Sequence, residues 1–378
     1  MIYFDNAATT RPSASALDKA RKFNEEEFFN PSALYKGGLN ATVALKQARE
    51  TVLKTLGASG SEKEVIFTSC GSESDNTAIF GAVRRGVFVT DKGEHSAVYK
   101  CFAELKTRGF DTEFIDLNKD GGVNVEQLLN CVKEKKAGFV SIMHVNNETG
   151  AINDVNFIAD RLKEINPKVV FHSDGVQAYG KLPYRIGKNV DLYSISAHKI
   201  GGLKGVGALI KRKGLNLFPL IFGGGQENGY RSGTENVFGI KVFEYAATER
   251  YSVIKENFEK VSKIRQFIAE NLDKSVFTVI SDISENKSSP YLLSISAKGL
   301  RGEVLMHELE TCGIIVGNGS ACSSKNRYSR VIEACGYDAE TLDGVIRISF
   351  SPENTAEEAK EFADKVNVAA NKLKRMME

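Results

Sequence analysis

The fold is decided by the stretch "KVVFHSDGVQAYGKLPYRIGKNVDLYSISAHKIGGLKGVGALIKR", residues 168–212. It holds three short apolar runs, "KVVFHSD", "VDLYSIS" and "GVGALIKR", separated by turn-forming residues, and such runs are typical of buried strands. Upstream, "EVIFTS", "GVFVTD" and "AGFVSIMHV" are of the same kind, most with helical segments between them. This βαβ alternation predicts an α/β fold with a mainly parallel sheet that is covered on both faces.

A second, smaller α+β domain is predicted at the C-terminal end. Between Val237 and Asp273 apolar residues recur at helical spacing, which predicts one long helix leading into that domain. The last hundred residues mix the predicted strands "VFTVIS", "YLLSISA" and "VIRISFS" with two further helices. Thr355 and Glu358 have the spacing of a capping box before the final helix.

Composition excludes several classes of function. A length of 378 residues suggests about two domains, and the net charge of +2 offers no field for nucleic acid or a membrane surface. No targeting signal or apolar run long enough to cross a bilayer occurs, so we expect a cytoplasmic protein. The six cysteines form no CxxC pair, which argues against a zinc site or a disulfide framework.

Polar side chains follow most of the predicted strands at the point where each strand ends. Ligands of open parallel sheets bind beyond these carboxyl ends. The residues are Gly71 and Ser72, in a turn that opens a helix, and then His95, Asn147, Asp174, Gln177, His198 and Lys199. Each is weak alone, because a histidine or aspartate there is more often structural. Together they are what pyridoxal 5'-phosphate requires: a phosphate-binding turn, a carboxylate, a flat ring and an amine.

The chemistry of this cofactor explains two of the residue types. A carboxylate beside the pyridine nitrogen keeps the nitrogen protonated, and Asp174 suits that role. Lysine alone offers an amine that can bind the aldehyde and then shuttle a proton, and we assign this role to Lys199. The competing Lys204 lies in "GGLKGVG", which lacks the pattern of a nucleotide-binding P-loop.

With these residues in view, the chain resembles the cysteine desulfurases of the NifS/IscS type, in the class V aminotransferase group, over nearly its whole length. The markers, in order, are "YFDNAATT", "NPSALYKGG", "TSCGSESDN", "EHSAV", "MHVNNETG", "HSDGVQAYGK", "SISAHKIGGLKGVGAL", "GGGQENGYRSGTEN", "GSACSS" and "IRISFS". The resemblance implies a type I fold of pyridoxal-phosphate-dependent transferases. Residues 14–255 would form the large cofactor-binding domain, with 1–13 and 256–378 in the small one.

The resemblance also implies a role for each matching residue. Lys199 would be the Schiff-base lysine, Asp174 the partner of the ring nitrogen, and His95 would stack on the ring and take part in catalysis. Cofactor binding would further use Gly71, Ser72, Asn147, Gln177, Ser196 and His198, with Thr234 reaching in from the second subunit of a homodimer. Asn147 and Arg347 would bind the substrate, the arginine pairing bidentately with its carboxylate.

Cys322 stands in "VGNGSACSSKNR", residues 316–327, among glycines and serines rather than in an apolar run. The resemblance implies that it lies on a mobile loop, at about 317–330, and is the nucleophile that takes sulfur from L-cysteine as a persulfide, leaving L-alanine. A sulfur-acceptor protein, of iron-sulfur scaffold or tRNA-thiolation type, would be the partner. No resident metal is expected, apart from transient iron-sulfur contact through Cys322.

Two other readings stay open. One is a selenocysteine or cystine lyase on the same fold, which the Gly/Ser-rich stretch around Cys322 disfavours. The other is a catalytically silent scaffold for sulfur transfer, which the presence of both Lys199 and Cys322 disfavours. Tyr35 departs from the family pattern, which has a histidine in "NPSxxH", and so does the Cys70-Gly71-Ser72 turn.

Overall fold

The computed structural model of the chain describes residues 1–84, 86–284, 286–318 and 327–377. The strands are β1 (Ile2–Phe4), β2 (Lys63–Thr68), β3 (Phe88–Asp91), β4 (Thr112–Ile115), β5 (Phe139–Ser141), β6 (Val170–Asp174), β7 (Leu192–Ser196), β8 (Gly207–Arg212), β9 (Phe277–Val279), β10 (Leu292–Ala297), β11 (Ile314–Val316) and β12 (Val345–Ser349). The helices are α1 (Ala14–Glu26), α2 (Lys36–Thr55), α3 (Gly71–Gly81), α4 (Ser96–Thr107), α5 (Val125–Lys135), α6 (Val155–Ile165), α7 (Val237–Ser252), α8 (Ile254–Glu270), α9 (Gly302–Thr311), α10 (Arg330–Ala334), α11 (Ala339–Asp343) and α12 (Ala356–Met377).

A seven-stranded sheet in the order β2-β8-β7-β6-β5-β3-β4 organises the larger part of the molecule. Its strands run parallel except β8, which is antiparallel to both neighbours. The connection from β7 to β8, residues 197–206, is shorter than the dozen or so residues that a parallel crossover needs. The predicted mainly parallel sheet is therefore confirmed, with one strand reversed.

Both faces of this sheet are buried. Along β2, Val65 and Phe67 join one hydrophobic core with residues of α2, α5 and α6, whereas Ile66 joins a second core with residues of α3 and α4. Since alternate side chains of a strand point to opposite faces, the two cores lie on opposite sides of the sheet. Strand β4 was not predicted, because its "TEFI" is polar and only half-buried at the sheet edge.

The C-terminal part has its own antiparallel sheet, β12-β10-β9, and the parallel pair β1-β11. Their side chains share a third core with α8, α9 and α12. The capping box before α12 is confirmed: the Glu358 amide donates to Thr355 Oγ1, and the Thr355 amide donates to Glu358 Oε2, both at 3.2 Å. The pairing of β1 with β11 supports grouping residues 1–13 with this part, and the boundaries stay a prediction.

The single long helix predicted from Val237 to Asp273 is wrong. It is two helices, α7 and α8, because Val253 between them has φ −134° and ψ 31°, outside the helical region. The apolar period runs through the break, since Tyr251 packs on the core of the large sheet while Phe258 packs on the C-terminal core. Among the described helices, none combines the length and apolar character that crossing a membrane requires.

Candidate active site

A cavity of about 170 Å³ opens at the carboxyl ends of the parallel strands. Its lining includes Gly71, Ser72, His95, Asn147, Asp174, Gln177, Ser196, His198 and Lys199. The structure thus brings together the predicted cofactor-binding residues other than Thr234. That threonine is exposed and does not line this cavity, and Cys322 lies outside the described residues.

The start of α3 forms one wall. Cys70 caps the helix, and its Sγ accepts a hydrogen bond from the Glu73 amide at 3.4 Å. The backbone is packed tightly here, because a Cβ on Gly71 would lie 2.8 Å from Val176 Cγ2 and a Cβ on Gly207 would lie 2.6 Å from the Cys70 carbonyl carbon. The glycines therefore let two backbone segments close around a helix N-terminus, which favours an anion such as a phosphate.

Asp174 ends β6 and is buried in the cavity wall. Its Oδ1 accepts a hydrogen bond from the Val176 amide at 2.9 Å, which fixes the carboxylate. Burial raises the pKa of Asp174 to about 6, while the Val176 amide and nearby Lys199 act in the opposite direction. A buried carboxylate of this kind would be stabilised by a cationic ligand group, and its pairing with a ring nitrogen stays a prediction.

His95 caps α4 and offers a neutral, flat ring to the cavity. Its Nδ1 accepts a hydrogen bond from the Ala97 amide at 3.2 Å, so the ring proton is on Nε2. Burial, together with the positive charges of Lys199, Arg330 and Arg347, lowers the pKa of His95 to about 4. A neutral imidazole can lie against an aromatic cofactor without the cost of burying a charge.

The N-terminal segment after β1 contacts two residues that line the cavity. Lys199 Nζ donates to the Ala8 carbonyl at 2.8 Å, and Gln177 Nε2 donates to the Ala7 carbonyl at 3.0 Å. The Gln177 carbonyl oxygen accepts from buried Lys181 at 2.7 Å, which fixes the orientation of the amide. Its NH2 group therefore keeps one further hydrogen that can be donated to a ligand.

Asp75 is a site residue that the sequence reasoning missed. It lies within α3, is 1% exposed, and offers a ligand atom within 4.8 Å of those of His95 and Asp174. Burial and the charge of Asp174 raise the pKa of Asp75 well above its ordinary value. The sequence held a signal, because Asp75 is four residues after Gly71 and thus on the same face of the helix.

The fit of these residues to pyridoxal phosphate is also supported by buried polar atoms that lack hydrogen-bond partners, an observation that does not depend on residue type. Ser196 Oγ and Asn147 Oδ1 are buried at the cavity, and neither has a hydrogen-bond partner among the described residues. Buried polar atoms without partners are rare, and here both face a space that a ligand can fill. Asp75, His95 and Asp174 could also hold a metal ion. The metal would leave the helix N-terminus and Lys199 unused.

Arg347 does not line this cavity itself but contacts Asn147, which does. Its Nη1 donates to the Asn147 carbonyl at 2.9 Å, which joins the two predicted substrate-binding residues. Its Nη2 donates to Asp5 Oδ1 at 3.0 Å, a pairing that the sequence did not predict.

The fold and the cavity define a class of protein, and comparison with known proteins names it. Residues 2–362 match the family model described as aminotransferase class-V, and the chain belongs to this family. It is 34% identical over 384 residues to "Cysteine desulfurase IscS" of Dictyoglomus turgidum, covering 99% of this chain and 95% of the relative.

Two solved structures are similar over the same length. A "NifS-like protein" superposes with a TM-score of 0.90 at 35% identity, covering 98% of this chain and 99% of the other. "SspA in complex with cysteine" superposes with a TM-score of 0.80 at 29% identity, covering 94% of this chain and 100% of the other.

Proposed function

We propose that this chain is a pyridoxal-phosphate-dependent cysteine desulfurase, which converts L-cysteine to L-alanine and takes up the sulfur as a persulfide on Cys322. The observation that carries the proposal is the meeting of Lys199, Asp174 and His95 in one buried cavity. Membership of the class-V aminotransferase family and the similarity to a protein solved with bound cysteine support it.

Each end of the cofactor would have its own holders. The N-terminus of α3, with Gly71 and Ser72, would bind the phosphate together with Ser196 and His198. Asp174 would pair with the ring nitrogen, His95 would lie over the ring, and Asn147 and Gln177 would reach its oxygen. When bound, the cofactor supplies an electron-withdrawing ring that makes the substrate Cα–H bond acidic.

The protein side chains would do the remaining work. Lys199 supplies the amine that anchors the cofactor and, once displaced by substrate, accepts and returns the Cα proton. Arg347 binds the substrate carboxylate. The Cys322 thiolate attacks the substrate sulfur: the new S–S bond forms as the C–S bond breaks, the electron pair stays on carbon, and protonation there gives alanine.

The decisive experiment is incubation of the cofactor-loaded protein with L-cysteine and a thiol reductant, with alanine and sulfide measured together. We expect the two in equal amounts, and one added sulfur atom on the peptide 316–327 when the reductant is omitted. Cys322→Ser should still bind L-cysteine but form neither product, because a hydroxyl is a far poorer nucleophile than a thiol.

Other results would favour the alternatives. Sulfide release by Cys322→Ser at the wild-type rate would indicate a lyase, and an inactive wild type with bound cofactor would indicate a scaffold. Elemental analysis of the purified protein tests the metal alternative, because a stoichiometric metal at Asp75, His95 and Asp174 would exclude the cofactor from the same space.

We also propose a homodimer in the cytoplasm that delivers sulfur to an iron-sulfur scaffold or a tRNA-thiolation protein. Large apolar side chains support the dimer, since Leu34 is 93% exposed and Phe222 is 81% exposed in the single chain. In the dimer, Thr234 would complete the phosphate site of the second subunit. Light scattering at several protein concentrations tests the dimer. Thr234→Ala should weaken cofactor binding, and the mass of the dimer measured by light scattering should not change.

A further inference from the structure

The pairing of Asp5 with Arg347 joins the two ends of the chain. Arg347 is in the middle of β12, and its side chain is 5% exposed. Asp5 follows β1 and forms a β-bridge with Ser349, next to hydrogen bonds from the Asn6 amide to the Ser349 carbonyl and from the Ala7 amide to Ser349 Oγ. The Asp5 carboxylate is therefore held by backbone pairing on the strand that carries the arginine.

The guanidinium is held by hydrogen bonds at two of its nitrogens and, among the described residues, has an unpaired N–H at the third. Nη1 is held by the Asn147 carbonyl and Nη2 by Asp5 Oδ1, which together set the plane of the group. Nε is buried and lacks a hydrogen-bond partner in the described parts of the chain. Because a carboxylate is best bound by parallel N–H groups, the free Nε–H and the remaining hydrogens determine where a substrate carboxylate can bind.

Gly317 shows how closely this pair is enclosed. A Cβ at this position would lie 2.5 Å from Asp5 Oδ1 and 3.0 Å and 3.2 Å from Nη2 and Nε of Arg347. The Gly317 backbone is also paired with Arg347 through hydrogen bonds of 2.9 Å in both directions. Any side chain here would press on the salt bridge itself.

We propose that Asp5 is a positioning residue for substrate binding: its side-chain oxygen accepts from Arg347 and holds the guanidinium in the orientation that receives the substrate carboxylate. The inference rests on the proposed function. A buried guanidinium without a partner is costly and would turn toward other acceptors, so the pair keeps the arginine ready before substrate arrives.

The test separates the orienting hydrogen bond from the charge. Asp5→Ala removes both, and we expect KM for L-cysteine to rise about tenfold or more, with kcat within about twofold, since a hydrogen bond to a charged group is lost. Asp5→Asn keeps an oxygen that accepts from Nη2, so its KM should return to within about threefold of the wild type.

Gly317→Ala tests the same pair with both charges kept. Its expected effect is a rise in KM like that of Asp5→Ala. Gly60→Ala is the matched control, because a Cβ there meets no atom within 4 Å. Cysteamine has the thiol and amine of the substrate but no carboxylate, so its inhibition constant should be the same in all variants. Thermal unfolding of each holoenzyme checks that the fold is intact.

Three results would overturn the inference. The first is a wild-type KM in folded Asp5→Ala, and the second is a KM below the wild-type value in Asp5→Asn, which would mean that the Asp5 charge competes with substrate. The third is an equal loss of affinity for cysteamine and for L-cysteine in the variants. Failure of the proposed function is distinct, because the wild type would then form no alanine at all. In that case L-cysteine binding to the wild type and Asp5→Ala, measured by calorimetry, still decides the inference: equal affinities would overturn it.

Discussion

Two groups of buried charges lie at opposite ends of the seven-stranded sheet. At the amino end, Asp191 is fully buried and accepts from Lys163 Nζ at 2.6 Å, from the Phe171 amide at 2.9 Å and from Arg212 Nε. At the carboxyl end, Asp174 and Asp75 are as deeply placed, but no lysine or arginine forms a salt bridge with either in the described residues. Both groups are charged and buried, and they differ in how completely they are satisfied.

This difference in hydrogen-bond and salt-bridge partners distinguishes a group that stabilises the fold from a group that can bind a ligand. Burial costs a carboxylate much of its hydration, and the Asp191 group recovers this cost through partners that belong to the fold. At the other end burial raises the pKa of Asp174 to about 6, and neighbouring polar atoms such as Ser196 Oγ lack partners among the described residues. Unsatisfied groups with shifted pKa values are expected where a ligand completes the site.

The largest expected effect is on Lys199. Lys199→Ala should lower alanine formation by about 10⁴-fold, because the anchoring amine and the proton carrier are lost together. It should also abolish the yellow absorbance of the cofactor-loaded protein. Lys204→Ala is the control, since Lys204 is exposed five residues further on. Wild-type turnover in Lys199→Ala would mean that the buried groups at the carboxyl end of the sheet do not carry out the reaction.

Asp191 should show the opposite behaviour. Asp191→Ala leaves two cations without their carboxylate, so the free energy of unfolding should fall by about 3–5 kcal/mol. The kcat of the protein that remains folded should be unchanged. Denaturant titration and kinetics on the same sample measure both quantities. A loss of kcat with full stability would contradict the inference that the amino end of the sheet serves stability and the carboxyl end serves catalysis.

Much of this arrangement could be predicted from the sequence because it is local. The strands and the polar residues that follow them stand together in the chain, so Asp174, His198 and Lys199 were placed at one edge of the sheet. Asp5 was missed because its partner is 342 residues away, and no periodicity reports such a pair. The break at Val253 was missed because the apolar period continues through it while the two helices serve different cores.

His144 tests which feature marks a group as structural: its position in the sheet or the presence of a hydrogen-bond partner. It lies beside the carboxyl-end group, since its amide donates to the Asp174 carbonyl, and its ring nitrogen Nδ1 is hydrogen-bonded to Tyr193 OH at 2.8 Å. Burial lowers the pKa of His144 to about 3, below the unfolded value of about 6.5. The unfolded chain therefore binds a proton first as the pH falls, and stability is lost in that direction.

From pH 6.5 to pH 4.5, His144 should contribute a loss of about 2 to 3 kcal/mol in unfolding free energy. Glu148 acts in the opposite direction, because burial raises its pKa to about 7 and it favours folding at low pH. The difference in unfolding free energy between wild type and His144→Gln at each pH gives the contribution of the histidine alone. Parallel stability curves for the two proteins over this range would contradict the prediction.

The smallest expected effect comes from two serines that differ in a single respect. Ser196 Oγ and Ser173 Oγ are both buried without a partner in the described chain, but Ser196 alone of the two lines the cavity. Replacing either by alanine removes an unsatisfied hydroxyl, so the free energy of unfolding without cofactor should change by less than about 1 kcal/mol in both. Only Ser196→Ala should weaken pyridoxal phosphate binding, by about tenfold, since a hydrogen bond to a charged group is worth that much. Titration of the cofactor into each apoprotein measures the contrast. Equal affinities would show that the Ser196 hydroxyl does not serve the ligand and would narrow the carboxyl-end site to α3, Asp174 and Lys199.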